Sequence, residues 1–366
     1  MSLVSDAENL QNVENVVNNI GLYFQRANLF LSLMSIILNV FHILVLSNKS
    51  MRTSSTNVIL IGLSISDLGI AMSTMYKQMF MVDPQNSECI TATSLSKVYM
   101  DITAWSVLIY FRRCSSFLGV LMASVRYVIM KKPTVSRYSN WSKPSVGWTL
   151  TGSVFCISGL LTIFYQARWI VVANQTAPLP ITCAQFQNLN SKPPYSVILA
   201  HIFSANDAII HRSYMIMDVL ISRFIPCVAF IILTIALLRI LQSIKITNLT
   251  RRKSSVHHDE KRDLSTKLIV VMTFTFVLIE TPLGMIYMGR VIFDKNLMIT
   301  LLSTDLAVYF LMLVTINSIL HPTFCILMSS QYRNTIRLML GLTRSAKLSS
   351  ARNKTSVASA PKFQIT

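Results

Sequence analysis

Residues 98–130 read VYMDITAWSVLIYFRRCSSFLGVLMASVRYVIM. About 20 apolar residues cross a bilayer, and this stretch is longer than that. It also carries Arg112 and Arg113 near its middle. A charge at mid-membrane costs roughly 2.5–3.5 kcal/mol even on the lenient insertion scale. A lone helix gains nothing from that cost, so the stretch belongs among other helices that supply a partner. Two readings stand. The arginines are held by carbonyls or a fixed carboxylate for structural reasons, or they mark a ligand or switch site, as charges inside membranes do by default.

Composition carries the argument outward. The 366-residue chain is 52% hydrophobic and 13% charged, where soluble domains carry about 25% charged residues. Mean hydropathy is +0.52, and the apolar residues fall in long blocks. Beyond 98–130 these lie at 24–46, 57–80, 146–168, 214–241, 266–293 and 302–328. Blocks of this length must close their backbone hydrogen bonds internally and are too long for barrel strands. The fold class is therefore all-α, a seven-transmembrane helix bundle. A net charge of +18 in a soluble protein would suggest nucleic acid. Here the basic residues sit in the short polar breaks, which points to topology and an anionic leaflet.

The breaks alternate. Lys49 and Arg52 occupy the first; Lys131, Lys132, Arg137 and Lys143 the third, without an acid; the fifth and the tail after Met328 are also rich in Lys and Arg. The even-numbered breaks are nearly neutral. The positive-inside rule makes the odd breaks and the tail cytoplasmic. Seven spans then place the acidic segment 1–23 (Asp6, Glu8, Glu14) outside, in a multi-pass protein of the plasma membrane. That segment lacks a basic n-region, so no cleaved signal peptide is expected and the first span acts as the insertion signal. Residues 24–328 form the membrane domain. Residues 329–342, around QYRNTIRLMLGL, read as an amphipathic helix on the inner leaflet, and 343–366 as a disordered cytoplasmic tail.

Topology filters the remaining motifs. Asn174-Gln175-Thr176 falls in an outer loop and is the credible glycosylation site. Cys89 and Cys183 both fall outside, where oxidising conditions favour a disulfide over two unrelated thiols. Cys114, Cys156, Cys227 and Cys325 lie in apolar blocks as small hydrophobes. No cysteine or histidine spacing suggests zinc, so neither metal nor cofactor is expected. No Ser/His/Asp or paired-carboxylate constellation suggests an enzyme. A transporter would show repeated halves and broken helices, and no repeat is visible.

The residues resemble those of rhodopsin-like G-protein-coupled receptors in order and spacing. Leu38-Asn39-Val40 is similar to the helix-1 asparagine motif, and Gly62-Leu63-Ser64-Ile65-Ser66-Asp67-Leu68 to the helix-2 aspartate motif. Val125-Arg126-Tyr127 stands where the family has Asp-Arg-Tyr. Pro226 and Pro282 fit the helix-5 and helix-6 prolines, and Asn317-Ser318-Ile319-Leu320-His321-Pro322 resembles the helix-7 Asn-Pro region. Within that class the chain resembles nematode serpentine chemoreceptors of class W, relatives of FMRFamide-type peptide receptors. Met51-Arg52-Thr53-Ser54-Ser55-Thr56-Asn57, Arg112-Arg113-Cys114-Ser115, Glu280-Thr281-Pro282-Leu283-Gly284 and Met328-Ser329-Ser330-Gln331-Tyr332-Arg333 carry this likeness. It implies a receptor, for a peptide or a small-molecule agonist, acting on a heterotrimeric G protein through Arg126 and Tyr127. It also implies a possible sodium site at Asp67 with Ser115, Asn317 and Ser318. The departures are Val125 for the usual acid, Glu280 for the helix-6 Trp, Thr234 and Cys325 for tyrosines, and His321 for Asn or Asp.

Depth links the charges. At about 1.5 Å per residue, Arg112 lies about 21 Å above Arg126, Glu280 about 20 Å above Lys267, and Arg223 about 24 Å above Arg239. These three groups share a level, where Glu280 can neutralise one arginine and Asp218 another. Which of Arg112 and Arg113 faces Glu280 is open. With Lys77 and Tyr287 they form a candidate ligand pocket whose spare positive charge suits a carboxylate or the carbonyl-rich end of a peptide.

Overall fold

A computed structural model describes residues 2–81, 95–131, 140–173, 195–250, 256–293 and 297–341. Its helices are α1 (Ser2–Leu46), α2 (Ser55–Met81), α3 (Leu95–Lys131), α4 (Pro144–Gln166), α5 (His201–Val219), α6 (Ile225–Thr250), α7 (Val256–Ile292), α8 (Leu297–Met328) and α9 (Ser330–Met339). Seven stretches are long and apolar enough to cross a membrane, the fifth running from Ala208 to Ile240 through α5 and α6. The all-α, seven-span reading holds. Cys89, Cys183, Asn174 and the tail 343–366 lie outside the described residues.

The packing is that of a bundle in lipid, with small and polar side chains inward and large apolar ones outward. On α4, Gly147, Thr151, Val154, Ser158 and Tyr165 make the buried stripe, while Trp148, Ile157, Leu160, Ile163 and Phe164 are exposed. Pro144 opens this helix at a position whose missing N–H would have had no partner. Gly147 lets α4 approach α2 closely: a β-carbon there would sit 2.7 Å from the Ser55 carbonyl oxygen. Helix α2 is central, with 72% of its most apolar window buried against 22% for α4. Toward the α9 end, Leu46, Ile59, Leu63, Leu118, Met122 and Val125 pack into one core. Ile70, Leu108, Ile279, Leu283 and Val314 form another toward the opposite end.

Three local features depart from plain helices. Residues Leu220–Phe224 form a π turn, in which the Ile225 amide donates to the Leu220 carbonyl. Pro226 follows, and its ring would clash with the carbonyl four residues back in a regular helix; the wider turn removes that clash. An antiparallel hairpin, β1 (Trp169–Ala173) and β2 (Tyr195–Leu199), caps one end of the bundle, paired from Trp169↔Leu199 to Ala173↔Tyr195. It adds a small sheet to the expected all-helical fold. At the other end α9 is clamped. The Ser329 hydroxyl accepts the Tyr332 amide at 3.2 Å, Gln331 donates to the Ser50 carbonyl at 3.0 Å, and Arg333 donates to the Leu327 carbonyl at 2.6 Å. Arg333 thereby satisfies a carbonyl that the end of α8 leaves without a helical partner. The buried Tyr332 hydroxyl lies 2.7 Å from His42 Nδ1, and burial raises its pKa, so it remains a neutral phenol.

Candidate ligand-binding site

The mid-membrane charges converge. Arg112 on α3 donates from Nη2 to both Glu280 oxygens on α7, at 2.9 and 3.0 Å. Arg223, in the π turn, donates to Glu280 Oε2 at 2.6 Å. One carboxylate therefore bridges three spans and contacts two arginines, while its single charge offsets only one of them. Arg112 reaches both oxygens from one side and leaves Oε2 open to a second approach. The π turn presents Arg223 to it and seats the guanidinium 4.6 Å over the Tyr287 ring.

Arg113 points elsewhere. It is 1% exposed and donates to Asp218 Oδ1 at 2.6 Å, Ser222 Oγ at 3.0 Å, Thr162 Oγ1 at 3.1 Å and the Ser158 carbonyl at 3.2 Å. Adjacent helix residues point about 100° apart, so the two arginines of one dipeptide join different partners. Arg112 is the one that meets Glu280. Three arginines against two carboxylates leave one positive charge in excess. Arg112 Nε is buried without a hydrogen-bond partner. A cavity of about 70 Å³ lies among these groups, walled by Trp105, Tyr165 and Tyr287 as well. It can take the end of a ligand but not a whole one.

Lys77 does not line this cavity, against expectation. Its ammonium sits 3.1 Å from the centroid of the Trp105 ring, and Trp105 Nε1 donates to the Tyr165 hydroxyl at 2.7 Å. Lys77 therefore acts on the cavity through the indole. A wider chamber of about 460 Å³ adjoins the charged floor on the hairpin side, sharing Trp105, Tyr165, Met215 and Tyr287 with it. Its other walls include Arg168, Trp169, His211, Arg212 and Arg290, none of which the sequence reading singled out. A signal existed: three arginines sit at the ends of spans where the neighbouring breaks carry little charge.

The Asp67 cluster is only partly as expected. Ser115 donates to Asp67 Oδ1 at 3.3 Å, but the second oxygen is met by His321 Nδ1 at 2.8 Å. Asn317 Nδ2 lies 3.5 Å from His321 Nε2, and Ser318 bonds the Ser35 hydroxyl on α1 at 2.6 Å. Of the three expected neighbours, Ser115 alone hydrogen-bonds the aspartate among the described residues. The imidazole and the Ser115 hydroxyl thus meet one carboxylate oxygen each.

Toward the α9 end, Arg126 and Tyr127 lie part-buried on α3, and Lys131 stacks 5.3 Å over the Tyr127 ring. Val125 is 1% exposed and belongs to the core. An acid there would be buried among apolar side chains, which accounts for the departure from Asp-Arg-Tyr. Thr234 on α6 and Thr273 on α7 are buried and hydrogen-bonded at 2.8 Å, tying two spans together.

Seven membrane-length helices around a charged, aromatic-walled cavity define a receptor-type bundle. The family model described as serpentine type 7TM GPCR chemoreceptor Srw matches residues 26–343, and the chain belongs to that family. It is a family of multi-pass membrane receptors, not enzymes, and it bears out the class W resemblance. A comparison with curated proteins finds no match.

Proposed function

We propose that the chain is a neuropeptide receptor coupled to a heterotrimeric G protein, oriented with the hairpin end outside the cell and α9 against the inner leaflet of the plasma membrane. The observation that carries this is Glu280 bridging α3, the π turn and α7 at the narrow floor of a recess that widens toward the hairpin. A ligand terminus inserted into the floor competes for Arg112 or Arg223, loosens their hold on Glu280 and frees α7 to move. The Thr234–Thr273 bond restrains that motion lower down. Movement of α7 then opens the region of Arg126 and Tyr127 to the G protein. A two-level recess, wide above and narrow below, suits a peptide entering end first. The basic breaks assigned to the cytoplasm by the positive-inside rule support the orientation. The test is a calcium and cAMP screen of cells expressing the full chain against an amidated neuropeptide library. Activation that Glu280→Gln abolishes or converts into ligand-independent signalling supports the reading; activation indifferent to Glu280 and Arg112 refutes it. The second reading, a chemoreceptor for an environmental small molecule, is favoured by the family description and would show as response to small ligands but no peptide.

A further inference from the structure

The wide chamber has a charge of its own. Arg168, Arg212 and Arg290 line it, and no carboxylate does among the described residues. Arg168 is the informative one. It is 0% exposed, and its hydrogen bonds go to neutral groups: the Tyr165 carbonyl at 3.0 Å, His211 Nδ1 at 3.1 Å and Met215 Sδ at 2.8 Å. Its Nη2 has no hydrogen-bond partner. The guanidinium carbon lies 4.1 Å from the Tyr165 ring centroid and 4.8 Å from that of Tyr214. A buried guanidinium without a hydrogen-bonded anion is an expensive way to build a wall, because desolvation is not offset by a paired charge. The arrangement is complete once a ligand supplies the anion, and a pair formed out of water is strong and planar at arginine. The aromatic faces of Trp105 and Trp169 flank the same space.

We infer that this chamber binds a carboxylate-bearing ligand, with Arg168 as the buried anchor, Arg290 as a rim charge, and the ligand body against Trp105 and Trp169. The inference rests on the chain being a ligand-binding receptor, and it fixes the sign of the ligand's charge. A basic peptide would bring its cation to a chamber lined by three arginines.

The test uses the full-length receptor in lipid nanodiscs and reads its unfolding temperature across a concentration series. The probes are short peptides each bearing one Asp or Glu, the same peptides with Asn or Gln, free aromatic carboxylates, and Phe-Met-Arg-Phe-amide. Stabilisation by the acidic peptides or the aromatic carboxylates, but not by the amide counterparts, supports the inference; which of the two acts identifies the source of the carboxylate. Arg290→Gln is expected to weaken binding about tenfold and Arg168→Gln about thirtyfold or more. Arg290 is exposed, so that variant stays informative even where Arg168→Gln fails to fold. No stabilisation by any carboxylate, equal stabilisation by the amide peptides, or undiminished binding by Arg290→Gln overturns it. Nucleotide exchange on an added G protein, measured on the same samples, reports the coupling separately. Carboxylate binding without exchange removes the coupling and keeps this site, whereas exchange driven by the basic peptide alone keeps the coupling and removes this site.

Discussion

Replacing Glu280 by glutamine perturbs three spans at once. The carboxylate holds Arg112 by contacts of 2.9 and 3.0 Å and Arg223 by one of 2.6 Å. Removing one partner of a buried pair costs about 3–5 kcal/mol. Coulomb's law gives a similar scale, about 4 kcal/mol for unit charges about 4 Å apart at an effective dielectric of about 20. Glu280→Gln strands both guanidinium groups and leaves them repelling one another, so a loss of at least about 3–5 kcal/mol is expected, a large share of the roughly 5–15 kcal/mol that holds a folded domain together. Arg223→Gln is milder, since both contacts of Arg112 Nη2 to Glu280 survive. The triple variant Arg112→Gln, Arg223→Gln, Glu280→Gln removes the charges together and should recover most of the stability that Glu280→Gln loses. The assay is thermal unfolding of five receptors in nanodiscs, the wild type, the three single variants including Arg112→Gln, and the triple variant, with basal nucleotide exchange alongside. A triple variant whose loss equals the sum of the single losses within about 0.5 kcal/mol would show that the groups do not couple, and the bridging account would fail.

Four further outcomes follow from other parts of the molecule. Tags at residue 1 and after Thr366 should be accessible on opposite faces of intact cells; both on one face would remove the seven-span topology. Cys89 and Cys183 should be recovered as a linked pair by non-reducing peptide mapping, and free alkylation of both without reduction would contradict the bond. Thr273→Val breaks the bond to Thr234 and strands a buried hydroxyl, at about 1–3 kcal/mol; basal signalling should rise if that bond restrains α7, and unchanged basal signalling would show that it does not. Gly147→Val drives a side chain against the Ser55 backbone and should lower stability by about 1–3 kcal/mol, measured by the same thermal assay, with no loss expected of Gly152→Ala, which meets open space.

The sequence was most informative where a single energy dominated. The length of an apolar block decides whether it spans, so all seven spans are recovered, although α1 begins at Ser2 and α7 at Val256, well before the apolar blocks at 24 and 266, and α9 appears where the basic and apolar faces alternate. The shared depth of Arg112, Glu280 and Arg223 follows from helix rise alone, and the structure brings those three groups into contact. Rotation is harder to read. Nothing in the linear chain says that Arg113 turns to Asp218, that Lys77 faces an indole, or that Ser318 leans to α1, because these depend on how neighbouring helices are turned. The hairpin was missed although Trp169-Ile170-Val171-Val172 and Val197-Ile198 are rich in strand-forming residues; they lie against long apolar blocks and read as extensions of them. Arg168 was missed because it stands at the end of such a block, where a cation is easily taken for a boundary marker.

The π turn at Leu220–Phe224 has a bearing on every comparison of this chain with its relatives. A turn holding one residue more than its α-helical equivalent advances the chain by about 100°. Positions on the two sides of it therefore belong to two different angular frames. Asp218 and Tyr214 on one side, and Pro226 and Phe230 on the other, cannot be laid on one helical wheel. A relative with a continuous helix here would need a one-residue gap before its residues corresponded to these in space. Without that gap, the position matched to Asp218 would face a different neighbour, and the partner of Arg113 would be assigned to the wrong residue throughout the family.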